Sequence, residues 1–492
     1  MRAWIFSGLA LWLAPVLVVG GLGMGLAPGA AIPVGALLAA AVSVPLCALL
    51  DASIGAALGQ SRALKLTSAA CAVAAIVQMA SLSVFIADPS YARFSMKPDD
   101  PFRTQHSCMS SYAEAARFIA AGGHNIYDRA LYQPRFIGPL KVDSYHYPPP
   151  FLLISQAIQA VAADFWHSRS LWFVFQALVL LGTMVAVAAW VRERNGAFAF
   201  CGGVLLLAAP PVLYTLQQGN FQASAAPLTA VACMLIASRR VPAGAALLAY
   251  ASAAKIFPGI ILLYFAAARR WRALAWTAAS GILLLGLTLL TQGTRPTHDF
   301  LTHALPEISS GAAFPHSEQP RTAAVNGSVY GMTVRLRNLG VTMLDQPADM
   351  RIASVYGLLV MMLAVVAGWR AREDTAEGVG RLKFLQVIVA LVGLASFRSP
   401  FVGLTYGAIS TLWLMTLLGA ATWPLRTAWW WFAGSLGLAT AVWLIPSPAY
   451  LPTRVTLVVS GLLFLGTLSL NAWVVIRAVR LAPRPAERLH AV

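Results

Sequence analysis

Apolar runs long enough to cross a bilayer recur along this chain from residue 3 to residue 476. A crossing takes about 20 predominantly apolar residues, so the useful unit is the membrane helix rather than the soluble domain. The strands of a membrane β-barrel alternate apolar and polar residues over about 10 positions. Segments such as 171 to 190 and 453 to 475 are almost continuously apolar, which excludes a barrel. Composition agrees: 59% of the 492 residues are hydrophobic and 11% charged, against about 25% charged in a soluble domain. The expected class is an all-α polytopic membrane protein with about 11 to 14 transmembrane or re-entrant helices. Of the cysteines Cys47, Cys71, Cys108, Cys201 and Cys233, only Cys108 lies outside an apolar run, so no disulfide framework is expected.

Charge gives the orientation. The net charge of +17 would suggest nucleic acid in a soluble protein. Here the basic residues form short clusters between apolar segments, the pattern of cytoplasmic loops, and no nucleic-acid partner is expected. The clusters are Arg62 with Lys65, Arg192 with Arg194, Arg239 with Arg240, Arg269 with Arg270 and Arg272, Arg370 with Arg372, and the tail from Arg477 to Arg488. The acids behave differently. Asp88, Asp99, Asp100, Glu114, Asp128 and Asp143 fall between residues 88 and 148, and Asp299, Glu307, Glu318, Asp345 and Asp349 between 292 and 350. These two segments read as long extracytoplasmic loops.

The resulting organisation is N-terminal transmembrane helices over 1 to 87, a first outer loop over 88 to 148, a transmembrane core over 149 to 291, a second outer loop over 292 to 350, C-terminal helices over 351 to 476 and a basic cytoplasmic tail over 477 to 492. The first apolar segment, 3 to 25, is too long for a signal-peptide core and reads as a retained anchor. Six full crossings between the two outer loops would put Arg239 and Arg240 outside, against their charge. The conflict resolves if 149 to 165 dips in without crossing and 242 to 268 splits into two short helices turning near Lys255. Interrupted helices at membrane depth often mark binding sites.

Within the first loop, Ser111 and Glu114 have capping-box spacing, and Tyr112, Ala116 and Ile119 share one helical face. An amphipathic helix on the membrane surface is expected, ended by Gly122 and Gly123. Further on, Pro148, Pro149 and Pro150 should pin an extended backbone where the chain re-enters lipid.

Several residues could carry chemistry. A loop carboxylate at the membrane surface can take a proton from an attacking hydroxyl. Asp143 ranks slightly above Glu114, which could instead cap its helix, and both rank above Asp100, which sits in a turn beside Pro101. Lys255 lies between Ala254 and Ile256 in an apolar stretch, where an ionisable group is costly and by default functional. Its ammonium suits a lipid phosphate, and Arg398 could grip the same group bidentately. Gln218 and Asn220, in the polar island 217 to 222, and Asn326 offer amides to sugar hydroxyls. No Walker loop, dinucleotide fingerprint, zinc spacing or nucleophile elbow occurs, and His298 with His303 lacks metal partners, so neither a cofactor nor a metal is expected.

The order of motifs resembles glycosyltransferase family 87. These motifs are a Tyr-x-x-Ala helix from Tyr112 to Ala115, Ile126-Tyr127-Asp128, Tyr147-Pro148-Pro149-Pro150, Gln218-Gly219-Asn220, Lys255-x-x-Pro258, Asn326-x-Ser328 before Arg335, and Ser399-Pro400. Together they cover roughly residues 80 to 410. The resemblance implies a GT-C type fold and an enzyme similar to polyprenol-phosphate-mannose-dependent mannosyltransferases, integral to the cytoplasmic membrane. Family members carry Asp-Phe four residues before the helix tyrosine, and that Asp is the expected base. This sequence has Cys108-Met109 there, so Glu114, Asp143 or Asp100 takes over the role, or transfer is altered or lost.

The expected function is inverting transfer of a sugar from a polyprenyl-phosphate donor to a lipid or glycan acceptor outside the membrane. Lys255 and Arg398 would hold the phosphate, and Gln218, Asn220 and Asn326 the sugar. The alternatives are a transporter or flippase of lipid-linked sugar, which would show paired helical halves, and a non-catalytic family member. No internal repeat is visible in the sequence.

Overall fold

The structure, a computed structural model, describes residues 1–122, 125–371, 379–422, 425–444 and 452–481. Arg372, Gly123 and the basic tail beyond residue 481 lie outside the described residues. Among the described residues, eight helices are long and apolar enough to cross a membrane. The count is nine if Glu193–Leu207 and Pro210–Gln218, which meet at 58°, form one bent span. The chain is an all-α polytopic membrane protein. Four shorter apolar helices accompany these: Pro149–Val161, Gln222–Ala237, Val241–Ala254 and Phe257–Ala267. At 1.5 Å rise per residue none of the four is long enough for a hydrocarbon core of about 30 Å. The expected interruptions are therefore present, and the helix Val241–Ala254 stops immediately before Lys255.

The chain divides into two compact units. The first comprises Met1–Pro227, Ala253–Lys255 and Leu284–Glu307, and the second comprises Leu228–Ser252, Ile256–Leu283 and Ile308–Val492.

In the first unit, helix Arg2–Gly23 packs on Pro28–Leu50, Arg62–Ala87 and Phe165–Val191. Lipid gives helices no hydrophobic reason to associate, so close backbone approach matters. A Cβ on Gly35 would stand 2.6 Å from the Val18 amide nitrogen, so only glycine permits this approach. Arg169 is buried in helix Phe165–Val191 and donates to the carbonyls of Ile86 at 2.7 Å and Phe85 at 3.2 Å. These carbonyls end helix Arg62–Ala87, where no intrahelical donor remains and a cation is favoured.

The segment 88 to 148 contains strands that no sequence pattern announced. β1 (His106–Ser107) pairs in parallel with β3 (Leu140–Val142), and β2 (Phe136–Ile137) pairs antiparallel with β3. A two-residue turn joins β2 to β3, with Gly138 at φ 55°, a conformation that favours glycine. The amphipathic helix is present as Cys108–Ala121 and ends at Gly122, whose φ is 71°. The capping-box expectation is corrected: the helix starts at Cys108, so Ser111 and Glu114 lie inside it. Ser111 Oγ donates back to the Cys108 carbonyl at 2.8 Å instead of capping. Pro148 is extended, with ψ 150°, but Pro149 and Pro150 enter a short 3-10 turn, Pro149–Phe151, so the entry is not wholly extended.

In the second unit, helices Val379–Ser396, Leu404–Ala421, Leu425–Leu444 and Thr453–Leu481 pack together. Phe397, Leu404, Val442 and Phe464 form part of the core between them. Helix Gln346–Arg370 begins inside the segment expected to be loop. Asp345 accepts the Ala348 N–H at 2.7 Å as its N-cap, and Asp349 is buried against Arg337 Nη1 at 2.7 Å. These two acids are thus helix-start groups.

Candidate active site

The strand register builds the site. His106 stands opposite Lys141 and Ser107 opposite Val142, so one step further the parallel strands bring Cys108 and Asp143 side by side. Ser110 fixes this junction: its hydroxyl donates to the Ser107 carbonyl at 2.6 Å and accepts the Asp143 N–H at 3.1 Å. The side chains then form a chain of contacts. Asp143 Oδ2 lies 3.1 Å from His106 Nδ1, His106 Nε2 lies 3.8 Å from Cys108 Sγ, and Asn220 Nδ2 donates to Cys108 Sγ at 3.3 Å. Phe102 stacks on the His106 ring, with centroids 5.1 Å apart and planes at 14°. His106 and Asp143 keep 20% and 24% of their side-chain surface, enough for a substrate to reach them.

Behind this chain stands an aromatic wall. Tyr112 meets Phe151 edge-on at 4.6 Å and Tyr147 at 5.1 Å, and its hydroxyl donates to that of Tyr147 at 2.9 Å. Edge-to-face pairs of this kind each contribute about 0.5–1.5 kcal/mol beyond burial. Burial pushes the phenols of Tyr112 and Tyr147 well above their usual range, so both stay protonated. Lys255 Nζ sits 4.3 Å above the Tyr147 ring centroid. No carboxylate lies within ion-pair distance of Lys255 among the described residues. Tyr147, on whose ring the ammonium sits, takes the hydroxyl of Tyr112 from the helix that begins at Cys108.

The polar island supports this neighbourhood through its own hydrogen bonds. Gly219 ends helix Pro210–Gln218 at φ 69°, and its carbonyl accepts the Trp172 indole N–H at 2.8 Å. Gln217 ties the loop to the helices, donating to the Arg103 carbonyl at 3.0 Å and accepting the Met96 N–H at 2.7 Å. Asn220 Oδ1 accepts the Gln222 N–H at 2.9 Å, which aims its Nδ2 at Cys108. Gln218 donates to the Tyr214 hydroxyl, while its Oε1 is buried without a hydrogen-bond partner among the described residues.

The remaining expected residues are held by other partners. Glu114 pairs with Arg117 Nη2 at 2.7 Å and Arg135 Nη1 at 3.1 Å, and so staples its helix to the loop before β2. Glu114→Gln is expected to cost at most about 1 kcal/mol of stability and to leave turnover unchanged. Thermal unfolding and an activity assay check this, and a 100-fold loss of turnover would restore Glu114 as a candidate base. Asp100 pairs with Arg103 Nε at 3.4 Å. Asn326 and Arg398 belong to the second unit. Asn326 is fully buried, donating to the Pro400 carbonyl at 2.8 Å and accepting the Val402 N–H at 3.1 Å. Both ends of its amide therefore serve the 400 to 402 backbone. The stem of Arg398 lies over Gly357, where a Cβ would stand 3.2 Å from Arg398 Cγ.

His106, Cys108 and Asp143 each offer a donor atom within 4.8 Å of the others, a spacing that a metal could use. The imidazole, however, turns Nδ1 to Asp143 and Nε2 to Cys108, and one ring cannot place both nitrogens on a single ion. The arrangement as it stands is a hydrogen-bonded chain suited to proton transfer.

Residues 145–396 match the model of glycosyltransferase family 87. The match takes in Tyr147, Gln218, Asn220 and Lys255, begins after the His106, Cys108 and Asp143 chain, and ends before Arg398. No curated protein and no solved structure matches the chain.

Proposed function

The chain belongs to glycosyltransferase family 87, and from that premise we propose that it moves a mannose-like sugar, with inversion, from a polyprenyl phosphate to a lipid or glycan acceptor at the extracytoplasmic face. That it is a membrane glycosyltransferase follows from the family and the helices. The donor class rests on one observation: Lys255 is a cation with no acidic partner among the described residues, seated on the ring of Tyr147, whose hydroxyl takes that of Tyr112 from the helix that begins at Cys108.

The acceptor oxygen attacks the anomeric carbon from the face opposite the phosphate, the bond from carbon to phosphate oxygen breaks, and the acceptor proton passes to the Asp143 and His106 pair. The leaving phosphate gains one negative charge, which the Lys255 ammonium stabilises most as the bond breaks. The Asn220 amide and the unpartnered Gln218 Oε1 lie nearby as sugar ligands. The GT-C type architecture and the cytoplasmic membrane as location belong to the same proposal.

Proteoliposomes loaded with a synthetic polyprenyl-phosphate mannose and crude acceptor lipids test the reaction. Transfer releases free polyprenyl phosphate, whereas movement of intact donor across the bilayer without cleavage would mark a flippase. Orientation is tested separately. Single cysteines at the exposed positions Ser90 and Ser310 should react with an impermeant thiol reagent in intact cells. Protection of either one rejects the placement of 88 to 148 and 292 to 350 outside.

A further inference from the structure

Two atoms compete for the acceptor's proton, Asp143 Oδ2 and His106 Nε2. The carboxylate is already engaged, since it holds His106 Nδ1 at 3.1 Å while Ser110 holds its backbone N–H. A carboxylate can only accept here, so in the neutral imidazole Nδ1 carries the hydrogen and Nε2 carries the lone pair. That lone pair meets Cys108 Sγ at 3.8 Å, a long and weak contact that an incoming hydroxyl can replace. Asn220 donates to the sulfur at 3.3 Å and restrains it, and Phe102 stacks on the ring. We propose that His106 is the catalytic base of this chain and Asp143 its positioning residue, with the acceptor hydroxyl entering between His106 Nε2 and Cys108. The inference rests on the glycosyltransferase reading and assigns the proton to a residue that the sequence pattern did not single out.

The electrostatics sharpen the test. Burial opposes a charge on His106, but the Asp143 carboxylate outweighs it and holds the imidazole well above its ordinary value of 6.5. Cys108 adds to that effect. The other titratable groups on the elements around β1 are Lys141 opposite in register, Tyr214 of helix Pro210–Gln218, Arg103 within helix Pro101–Gln105 and Asp100 at the N-cap of that helix. A base acts when deprotonated, so kcat/KM should rise with pH through an acid limb centred above 6.5. Removing the Asp143 charge makes the imidazolium less favourable, so the limb must move to lower pH.

The experiment is the pH dependence of polyprenyl phosphate release by the full chain in proteoliposomes, with polyprenyl-phosphate mannose as probe. Expected are a wild-type acid limb above 6.5, a limb at lower pH in Asp143→Asn, and a loss in His106→Gln of about 100-fold to 10,000-fold. Added imidazole should partly restore turnover in His106→Gly. If His106→Gln does not fold, the wild-type limb and its movement in Asp143→Asn still decide. A wild-type limb in the carboxylate range, or His106→Gln with wild-type turnover and an unmoved limb, overturns the proposal and returns the proton to Asp143. Absence of donor cleavage by the wild type would overturn the glycosyltransferase reading, and this inference with it. Donor cleavage with an unmoved limb overturns this inference alone.

Discussion

Asp143→Asn is expected to lower turnover by about 100-fold to 10,000-fold while donor affinity stays essentially unchanged. The upper figure is the cost seen where the acid of an acid–imidazole pair becomes an amide and stabilises the wrong tautomer. The lower figure is the smallest typical contribution of general-base catalysis. The substitution keeps the side chain's shape, and the Ser110 contact to the Asp143 backbone does not depend on the carboxylate. The fold should therefore persist, with unchanged elution and thermal midpoint. Single-turnover rates with saturating donor make the measurement. Near-normal turnover in a folded Asp143→Asn variant would remove this acid from the reaction.

Lys255→Ala should reduce kcat/KM for the polyprenyl-phosphate donor by about 100-fold to 1,000-fold, the cost of losing one preorganised charge that faces a developing anion. Lys255→Arg should recover only part of it, because a broad guanidinium fork does not replace a compact ammonium on the Tyr147 ring. Stability separates this from a structural role. An ammonium without an acidic partner in an apolar stretch is itself costly. The alanine variant should consequently unfold at the same temperature as the wild type or higher. A drop in thermal stability with donor affinity unchanged would make Lys255 a structural residue.

The membrane helices were legible because about 20 apolar residues in a row have few other destinations. The interruption at Lys255 was legible for a second reason, since helix parity and the charges of Arg239 and Arg240 conflicted unless some segments failed to cross. The core of the site was not legible. Strands of two and three residues carry no periodicity, and the parallel pairing of His106 and Ser107 with Lys141 and Val142 joins segments 35 residues apart. His106 therefore gave no signal, and Cys108 registered only as the residue in place of an expected acid. The spacing of Ser111 to Glu114 fits a capping box, but the helix starts at Cys108, and Glu114 pairs inside it with Arg117 and Arg135. The amides of Gln217 and Asn326 resemble sugar ligands in sequence, yet both hold backbone, a use that depends on which loop folds against them. Asp345 and Asp349 read as loop acids because the apolar run of their helix begins only after residue 350.

The most direct test of the central claim is the stoichiometry of sugar transfer by the purified wild-type chain, with polyprenyl-phosphate mannose and a nucleotide-linked sugar offered in parallel. The account predicts one polyprenyl phosphate released for each sugar appearing on the acceptor, with inverted anomeric configuration, and no transfer from the nucleotide sugar. Transfer from the nucleotide sugar, or retention of configuration, would contradict it.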